Sequence, residues 1–335
     1  MDGFLLSDDT VDLGPRFFQL TADVTFSFLL GDENPSRQEQ KRRQEVCEAF
    51  DYAQEKFGNF GNYGWKQYFM KWNKFHRSVK LVHDFADEYV NKALKRVTGN
   101  DSSDETALSH RPDRYVFLDE LIRVTTDPVK IREELLNILL AGRDTTASLL
   151  TIAFNAISKR ADVMKQLRAE VDLLGGALPD YEALKNMSYL QYTLKEVQRF
   201  WPVVPMNSRM ANKDTVLPFG GGPDGRSPSY VPRGRTVSYS VYAMHRDKTV
   251  YGEDADEFRP ERWEHVRPGW QYLPFHGGPR VCPGQNFALL EASYTIVRML
   301  QTFARIESRD PLPIVEKLDV TFRSRNGAKV ALFKS

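Results

Sequence analysis

A short loop rich in glycine and proline holds one of only two cysteines in the chain. In "PFHGGPRVCPGQNFALL", residues 274–290, Pro283 follows Cys282 and an apolar helical pattern begins directly after them. Proline is favoured at the first position of a helix, so the pattern predicts that Cys282 caps this helix at its N-terminus. The positive end of the helix and the nearby Arg280 both lower a thiol pKa, which predicts a thiolate.

Such a thiolate has two chemical uses. A nucleophile needs a general base, and His276, six residues earlier, is the candidate partner. A single thiolate cannot hold zinc or an iron–sulfur cluster, because these sites need three or four protein ligands. It can be the sole protein ligand of haem, because the porphyrin supplies four further ligands. Glycines at 277, 278 and 284 would let a bulky group approach the backbone.

A second polar segment, "AGRDTTA" at residues 141–147, interrupts a long apolar helical pattern. Gly142 disfavours a helix by about 1 kcal/mol relative to alanine. Asp144 and Thr145 follow it and compete for backbone hydrogen bonds. Two interpretations are open. The segment is either a polar stripe tolerated on the helix surface or a locally opened helix whose carboxylate and hydroxyl relay protons.

An ion pair is predicted between Glu196 and Arg199, which lie three residues apart in "LKEVQRFWP" on one face of a helix. Apolar segments on both sides predict that the pair is buried, where it needs further hydrogen-bond donors. Arg262, in "FRPERW", is the candidate donor. The three side chains are therefore predicted to form a structural lock.

The composition excludes several classes of protein. The 335 residues include 46 basic and 45 acidic side chains, and this balance predicts no nucleic-acid partner. Two cysteines exclude a disulfide scaffold, and Cys47 is predicted to be a half-buried thiol. No apolar run reaches the roughly 18 residues that span a bilayer. The glycine-rich "GGGPDG" at 220–225 contains a proline that prevents a helix from starting, so it is predicted to be a turn between strands.

Periodicity predicts the elements that must position these groups. Helices are expected over residues 1–30, 36–57, the later part of 60–94, 126–160, 163–174 and 181–200. In the longest of them, Asp127 is the predicted N-cap and Pro128 the first helical residue. After Trp201, short strand-like runs alternate with turns, and "RNGA" at 325–328 predicts a hairpin. The expected fold class is mainly α with small antiparallel β-sheets.

The combination of these motifs resembles the cytochrome P-450 monooxygenase family. Five residues match that family's F-x-x-G-x-R-x-C-x-G haem-binding signature: Phe275, Gly278, Arg280, Cys282 and Gly284. "AGRDTTA" is similar to its oxygen-activation motif, the Glu196–Arg199 pair to its E-x-x-R motif, and "FRPERW" to its P-E-R-F region. The motifs occur in family order over essentially the whole chain. Several segments are most similar to fungal enzymes that hydroxylate alkanes and fatty acids.

The resemblance implies a monooxygenase whose cofactor is haem b, iron protoporphyrin IX. Cys282 would be the axial ligand of the iron. Arg280 and Arg209 would pair with the haem propionates, and Asp144 and Thr145 would deliver protons during oxygen activation. The implied partners are O2, an NADPH-dependent cytochrome reductase and a long-chain apolar substrate, an alkane or a fatty acid that is hydroxylated at its end.

The family resemblance also assigns structural and substrate-contacting roles. Glu196, Arg199 and Arg262 would lock the core below the haem. Residues 201–208 would line the substrate channel with apolar side chains, and the strand near Phe322 would contribute to it.

The chain departs from the family at Pro283, where leucine is more usual, and at His276, where relatives have a small or polar residue. The match begins well inside the family pattern, which predicts one partial P-450 domain, residues 1–335, that lacks the N-terminal third of the fold. Membrane association and the endoplasmic reticulum are therefore expected only of a full-length relative. Two alternatives stay open: a catalytically incompetent haem-binding fragment, and a hydrolase that uses Cys282 as its nucleophile.

Overall fold

The structure is a computed structural model that describes residues 7–32, 34–58, 64–65, 71–97, 115–318 and 321–334. Its helices are α1 (Leu13–Leu30), α2 (Arg37–Gly58), α3 (Asn73–Val97), α4 (Phe117–Val124), α5 (Pro128–Ile157), α6 (Ala161–Asp172), α7 (Tyr181–Asn186), α8 (Ser188–Phe200), α9 (Val241–Met244), α10 (Lys248–Tyr251) and α11 (Gln285–Thr302). Its strands are β1 (Ser7–Asp12), β2 (Met206–Met210), β3 (Thr215–Gly221), β4 (Ser227–Val231), β5 (Thr236–Ser240), β6 (Phe303–Ser308), β7 (Glu316–Leu318), β8 (Phe322–Ser324) and β9 (Lys329–Lys334).

The strands form small sheets, which pair in the orders β1-β9-β6, β2-β5, β3-β4 and β7-β8 within the described residues. All of these pairs are antiparallel. The expected class, mainly α with small antiparallel sheets, is confirmed. The glycine-rich segment at 220–225 turns the chain between β3 and β4, as predicted, and Gly222 and Gly225 adopt the left-handed backbone with φ of 74° and 69°.

The start of the chain differs from the single helix expected over residues 1–30. Strand β1 comes first and pairs with β9, which lies at the other end of the sequence. Helix α1 then begins at Leu13, because the Asp12 carboxylate accepts a hydrogen bond from the backbone N–H of Gly14 at 3.0 Å and caps the helix. Sequence reasoning missed this strand because its partner lies at the other end of the chain, and local periodicity does not indicate such pairing.

Two further predictions were wrong in detail. The helix expected over 181–200 is interrupted at Met187, which separates α7 from α8. The "RNGA" segment does not form a hairpin, since β8 pairs with β7 while β9 pairs with β1 and β6. The Asn326 side chain accepts a hydrogen bond from the backbone N–H of Val315 at 2.9 Å. This contact draws the turn toward the 310–315 segment and away from a β8–β9 pair.

The chain divides into two compact units, Met1–Leu184 with Asn286–Ser335, and Lys185–Gln285. We call them the first and the second unit. In the first unit, α1 packs along α5, and α2 packs on α3. A buried cluster there includes Phe26 and Leu29 of α1, Val90 of α3 and Leu135 of α5. The single partial P-450 domain expected over residues 1–335 stays a prediction.

Helix α5 is continuous through the polar segment. Its N-cap is Asp127, as predicted, with the carboxylate accepting from the backbone N–H of Val129 at 3.0 Å. The helix does not open at Gly142, so that expectation was wrong. A Cβ atom on Gly142 would lie 2.8 Å from Oγ1 of Thr25. The glycine is therefore explained by the close approach of α1 to α5.

Helix α11 carries a buried carboxyl group in the first unit. Both carboxyl oxygens of Glu291 are buried, and neither has a hydrogen-bond partner of good geometry among the described residues. Burial disfavours the charged form and raises the pKa of Glu291 to about 8, and the Thr146 hydroxyl opposes only part of this effect. Glu291 is therefore expected to be protonated near neutral pH.

Glu291→Gln is expected to gain stability relative to the wild type as the pH rises. In the wild type the raised pKa stabilises the folded state below the unfolded pKa of 4.5, and this stabilisation is lost as the pH rises through about 8. The difference in free energy of unfolding should grow by at most about 1.4 kcal/mol per pH unit within that interval. Urea denaturation of both proteins across this pH range measures it, and a pH-independent difference would contradict the assignment.

Candidate functional site

The cysteine loop, residues 274–284, lies in the second unit and is closed by its own backbone. The N–H of Cys282 donates to the carbonyl of Phe275 at 3.0 Å. Gly278 has a left-handed backbone with φ of 70°. A Cβ atom on Gly277 would lie 2.5 Å from the ring of Trp270. Both glycines are thus required by the path of the loop, one by its conformation and the other by close packing.

The Cys282 thiol stands just before the helix and not at its cap. Helix α11 begins at Gln285, whereas Pro283 and Gly284 form a turn, so the prediction that Pro283 is the first helical residue was wrong. Cys282 is half-buried, and a Cβ atom on Gly284 would lie 3.8 Å from its sulfur. The absence of that Cβ leaves space beside the sulfur. Cys47, in contrast, is buried, and burial raises the pKa of its thiol to about 11.

His276 holds an unusual backbone conformation in this loop. Its φ of 60° makes it the sole left-handed residue other than glycine in the described part of the chain, and histidine is among the residues that tolerate this region. Such strain costs about 1–3 kcal/mol and clusters at functional sites. Its Nε2 lies 2.9 Å from Nδ2 of Asn207, and its Nδ1 lies 3.4 Å from the hydroxyl of Tyr239. Both ring nitrogens are engaged, so the structure does not pair His276 with Cys282.

Arg209 and Arg280, the two arginines predicted to bind propionates, have no acidic partner among the described residues. Arg209, on β2, donates from Nη1 to Oδ1 of Asn207 at 3.1 Å and to the carbonyl of Ser208 at 2.8 Å. Arg280 is exposed and makes neither a hydrogen bond nor an ion pair within the described chain. Unpaired guanidinium groups are suited to carboxylates, which they bind through parallel N–H donors.

Exposed apolar side chains accompany these groups. Val281, next to the cysteine, is 47% exposed, and Met210, next to Arg209, is 69% exposed. A thiol with space beside it, unpaired guanidinium groups and exposed apolar side chains in one unit fit a flat apolar group that carries carboxylates and a metal. The donor set therefore fits haem.

The lock predicted around Glu196 is present. Arg199 donates from Nε and Nη2 to the two carboxylate oxygens at 2.9 and 2.8 Å, and Arg262 donates from Nε at 2.9 Å. Sequence reasoning missed two further donors, the indole N–H of Trp263 and the backbone N–H of Arg259, each at 2.9 Å. Glu196 and Arg199 are fully buried. The carboxylate thus receives five hydrogen bonds, which a buried charge requires.

The lock is connected to the cysteine loop through His245. Arg199 donates to the carbonyls of His245 at 2.8 Å and Ala255 at 2.7 Å. Nε2 of His245 accepts from the backbone N–H of Leu273, the residue directly before the loop, at 2.9 Å. Burial lowers the pKa of His245 to about 4, so the ring stays neutral and Nε2 can accept. His245 was not identified from the sequence.

The proton-relay candidates lie on α5 in the first unit. Asp144 is fully buried, and its carboxylate accepts from Arg143 at 2.9 Å and from Arg323 at 2.9 Å. Burial raises the pKa of Asp144, and the two guanidinium groups oppose this shift. Thr145 is half-buried, and its hydroxyl donates to the carbonyl of Ala141 at 2.6 Å. No hydrogen bond joins Asp144 to Thr145 among the described residues.

A cavity of about 590 Å³ in the first unit lies next to the residues that hold Asp144. Arg143 and Arg323, which hold that carboxylate, line the cavity together with Asp51. Of the side chains predicted to contact substrate, Met206 is 58% exposed and Phe322 is buried, and their contact with substrate stays a prediction.

A model of the family described as cytochrome P450 matches residues 6–330. The chain is 40% identical to cytochrome P450 monooxygenase fsdH of Fusarium heterosporum, with 98% of the chain and 60% of that relative covered. It is 39% identical to cytochrome P450 52A13 of Debaryomyces hansenii, with 98% of the chain and 66% of that relative covered. It is also 39% identical to cytochrome P450 52A1 of Candida tropicalis, with 97% of the chain and 62% of that relative covered. The chain thus spans about 60% of the length of these relatives.

The family match agrees with the geometry of the cysteine loop and of the Glu196 lock, and haem is the cofactor of that family. Among the described helices, none combines the length and apolarity that crossing a membrane would require. The match covers nearly all of the chain and includes every motif that carries the resemblance. The chain therefore belongs to the cytochrome P450 family.

Proposed function

We propose that the chain carries the haem-thiolate centre of a monooxygenase, which inserts one oxygen atom from O2 into a C–H bond of a long-chain alkane or fatty acid. The observation that carries this proposal is the cysteine loop, where a half-buried thiol lies in the same unit as Arg209 and Arg280, which have no acidic partner in the part of the chain that the structure describes. The alkane or fatty-acid substrate rests on the similarity to fungal hydroxylases. Reaction at the chain end and an NADPH-dependent reductase belong to the same proposal.

The residues of the second unit bind the cofactor. Cys282 holds the iron as a thiolate, and bound haem supplies an iron that activates O2, which electron donation from the thiolate favours. Arg209 and Arg280 bind the propionates through charge-assisted hydrogen bonds. The Glu196 lock fixes the backbone that leads into the loop, since Arg199 holds the carbonyl of His245 and His245 holds Leu273.

The residues of the first unit handle protons. The Thr145 hydroxyl donates its one proton to the carbonyl of Ala141 and can accept a hydrogen bond from solvent with its lone pairs. To pass a proton on, it would turn away from that carbonyl and receive a proton from solvent as it gives up its own. Asp144 is held by Arg143 and Arg323, both of which line the cavity of the first unit. Movement of either arginine would release the carboxylate toward water. We assign proton delivery to Asp144 and Thr145 together, with water carrying the proton between two side chains that share no direct hydrogen bond.

One spectrum tests the proposal. The full chain is expressed with haem, reduced under carbon monoxide, and its Soret band is recorded. We expect the strongly red-shifted band of a thiolate-ligated haem, followed by hydroxylation of a long-chain acid or alkane when a reductase is added. A thiolate band without turnover would favour the incompetent fragment. No haem uptake would overturn the proposal, and haem-independent hydrolysis would favour the cysteine nucleophile.

Thr145→Ala is expected to retain haem but to divert reducing equivalents from product to released hydrogen peroxide. Positioned proton transfer typically contributes about 100-fold or more to rate, so product formed per NADPH should fall steeply. Product, peroxide and NADPH are measured together. Thr151→Ala is the matched control, because Thr151 makes the same bond on the same helix, to the carbonyl of Ala147 at 2.7 Å. Undiminished coupling in Thr145→Ala would contradict the relay.

A further inference from the structure

The hydrogen bonds around Asn207 fix the orientation of its side-chain amide. The backbone N–H of Ser208 donates to Oδ1 at 2.8 Å, and Nη1 of Arg209 donates to the same atom at 3.1 Å. Because both neighbours are donors, the atom they meet must be the amide oxygen. Nδ2 must then be the nitrogen that faces His276, and it donates to Nε2 of the ring at 2.9 Å.

This orientation determines the tautomer of His276. A neutral imidazole that accepts at Nε2 carries its proton on Nδ1. Burial, together with the nearby charge of Arg209, lowers the pKa of His276 and so favours the neutral ring. Nδ1 therefore directs its N–H toward the Tyr239 hydroxyl, 3.4 Å away.

The hydroxyl of Tyr239 is left with its own proton to donate. Because it accepts from His276, its O–H points away from the ring, and no acceptor for it exists among the described residues. Tyr239 is paired with Asn207 across β2 and β5, and Cζ of Arg209 lies 6.0 Å from the centre of the Tyr239 ring. Nε and Nη2 of Arg209 also have no partner in the described chain. Two kinds of donor thus lie side by side without an acceptor.

We propose that Tyr239 and Arg209 bind one carboxylate together, with His276 holding the Tyr239 hydroxyl in its donating orientation. Tyr239 is the ligand and His276 the positioning residue, and the strained backbone of His276 is what brings its ring between Asn207 and Tyr239. This rests on the proposed function, in which the carboxylate is a haem propionate. The carboxylate of a free fatty acid offers the same chemistry.

Tyr239→Phe removes the donor and keeps the ring, so it tests the proposal in the full chain. Haem release into excess apomyoglobin should become about tenfold faster, as expected for the loss of one hydrogen bond to a charged group. With haem dimethyl ester, whose propionates cannot accept as carboxylates, wild type and variant should release at equal rates. If only the affinity for dodecanoate falls, measured by calorimetry, the carboxylate is that of a free acid. Unchanged release and unchanged dodecanoate affinity would overturn the proposal.

Matched variants separate positioning from folding. Tyr230→Phe is the control, since Tyr230 is 63% exposed on β4 and outside the hydrogen-bond chain. It should change neither measurement.

His276→Asn keeps a residue that tolerates the left-handed backbone but cannot bridge Asn207 and Tyr239. It should accelerate release as Tyr239→Phe does, and the double variant should add nothing further. Additive effects would overturn the positioning role. If wild type lacks the thiolate band, the proposed function fails, and the dodecanoate titration still decides the carboxylate site.

Discussion

Replacing Cys282 with alanine is expected to abolish the red-shifted Soret band of the reduced, carbon-monoxide-bound protein. The thiol is half-buried in the loop that Phe275 and Gly278 shape, with space beside the sulfur where Gly284 lacks a Cβ. Residual haem should show a band without the thiolate shift, and hydroxylation should fall below detection.

Cys47→Ala is the matched control for this experiment. It removes the other thiol of the chain, which is buried in the first unit and protonated, since burial raises its pKa to about 11. Losing a buried group about the size of a methylene lowers the free energy of unfolding by about 1 kcal/mol. The thiolate band should nevertheless be unchanged. If Cys47→Ala removed the band and Cys282→Ala preserved it, the assignment of the axial ligand would be wrong.

Local signals predicted the parts of the structure that are held by neighbours in sequence. The Asp127 cap and the Glu196–Arg199 pair each lie within one helical turn, so residue type and spacing contain the interaction. Arg262 was inferred at a separation of 66 residues, but only because a buried carboxylate needs a further donor and a suitable motif was present. Chemistry predicted the lock where periodicity alone could not.

Long-range contacts could not be predicted in this way. Arg323 reaches Asp144 across 179 residues, and nothing near either residue indicates the other. The chain of bonds from Asn207 through His276 to Tyr239 depends on a left-handed backbone at 276, which no spacing rule specifies. Gly142 shows a different error, since an opened helix was one of the two interpretations of its polar segment, whereas the glycine accommodates Thr25 of a neighbouring helix.

These contacts change how the lock relates to the site. Glu196 and Arg199 do not touch the cysteine loop, but Arg199 holds the carbonyl of His245, and the ring of His245 holds the N–H of Leu273. The ion pair therefore supports the first residue of the segment that leads to Phe275 and Cys282. A defect in the lock should be seen both in stability and in the environment of the thiolate.

Arg199→Ala is expected to lower the free energy of unfolding by about 3–5 kcal/mol, the cost of breaking a buried ion pair by removing one partner. The variant leaves Glu196 fully buried with fewer donors, and it removes the side-chain donor of the His245 and Ala255 carbonyls. Urea denaturation measures the loss. The thiolate band should convert to the unshifted form at a lower urea concentration than in the wild type, because Leu273 loses its support.

Arg259→Ala provides the comparison that makes this result specific. Arg259 belongs to the same unit and pairs with Asp254 at 2.8 Å, but its side chain is 51% exposed. Exposed ion pairs contribute about 0–1 kcal/mol, and the backbone N–H of Arg259, which bonds to Glu196, is untouched by the substitution. Arg199→Lys should recover little, since an ammonium group cannot reproduce the paired donors of guanidinium. Equal losses for Arg199→Ala and Arg259→Ala would show that charge, and not the buried geometry around Glu196, stabilises this unit.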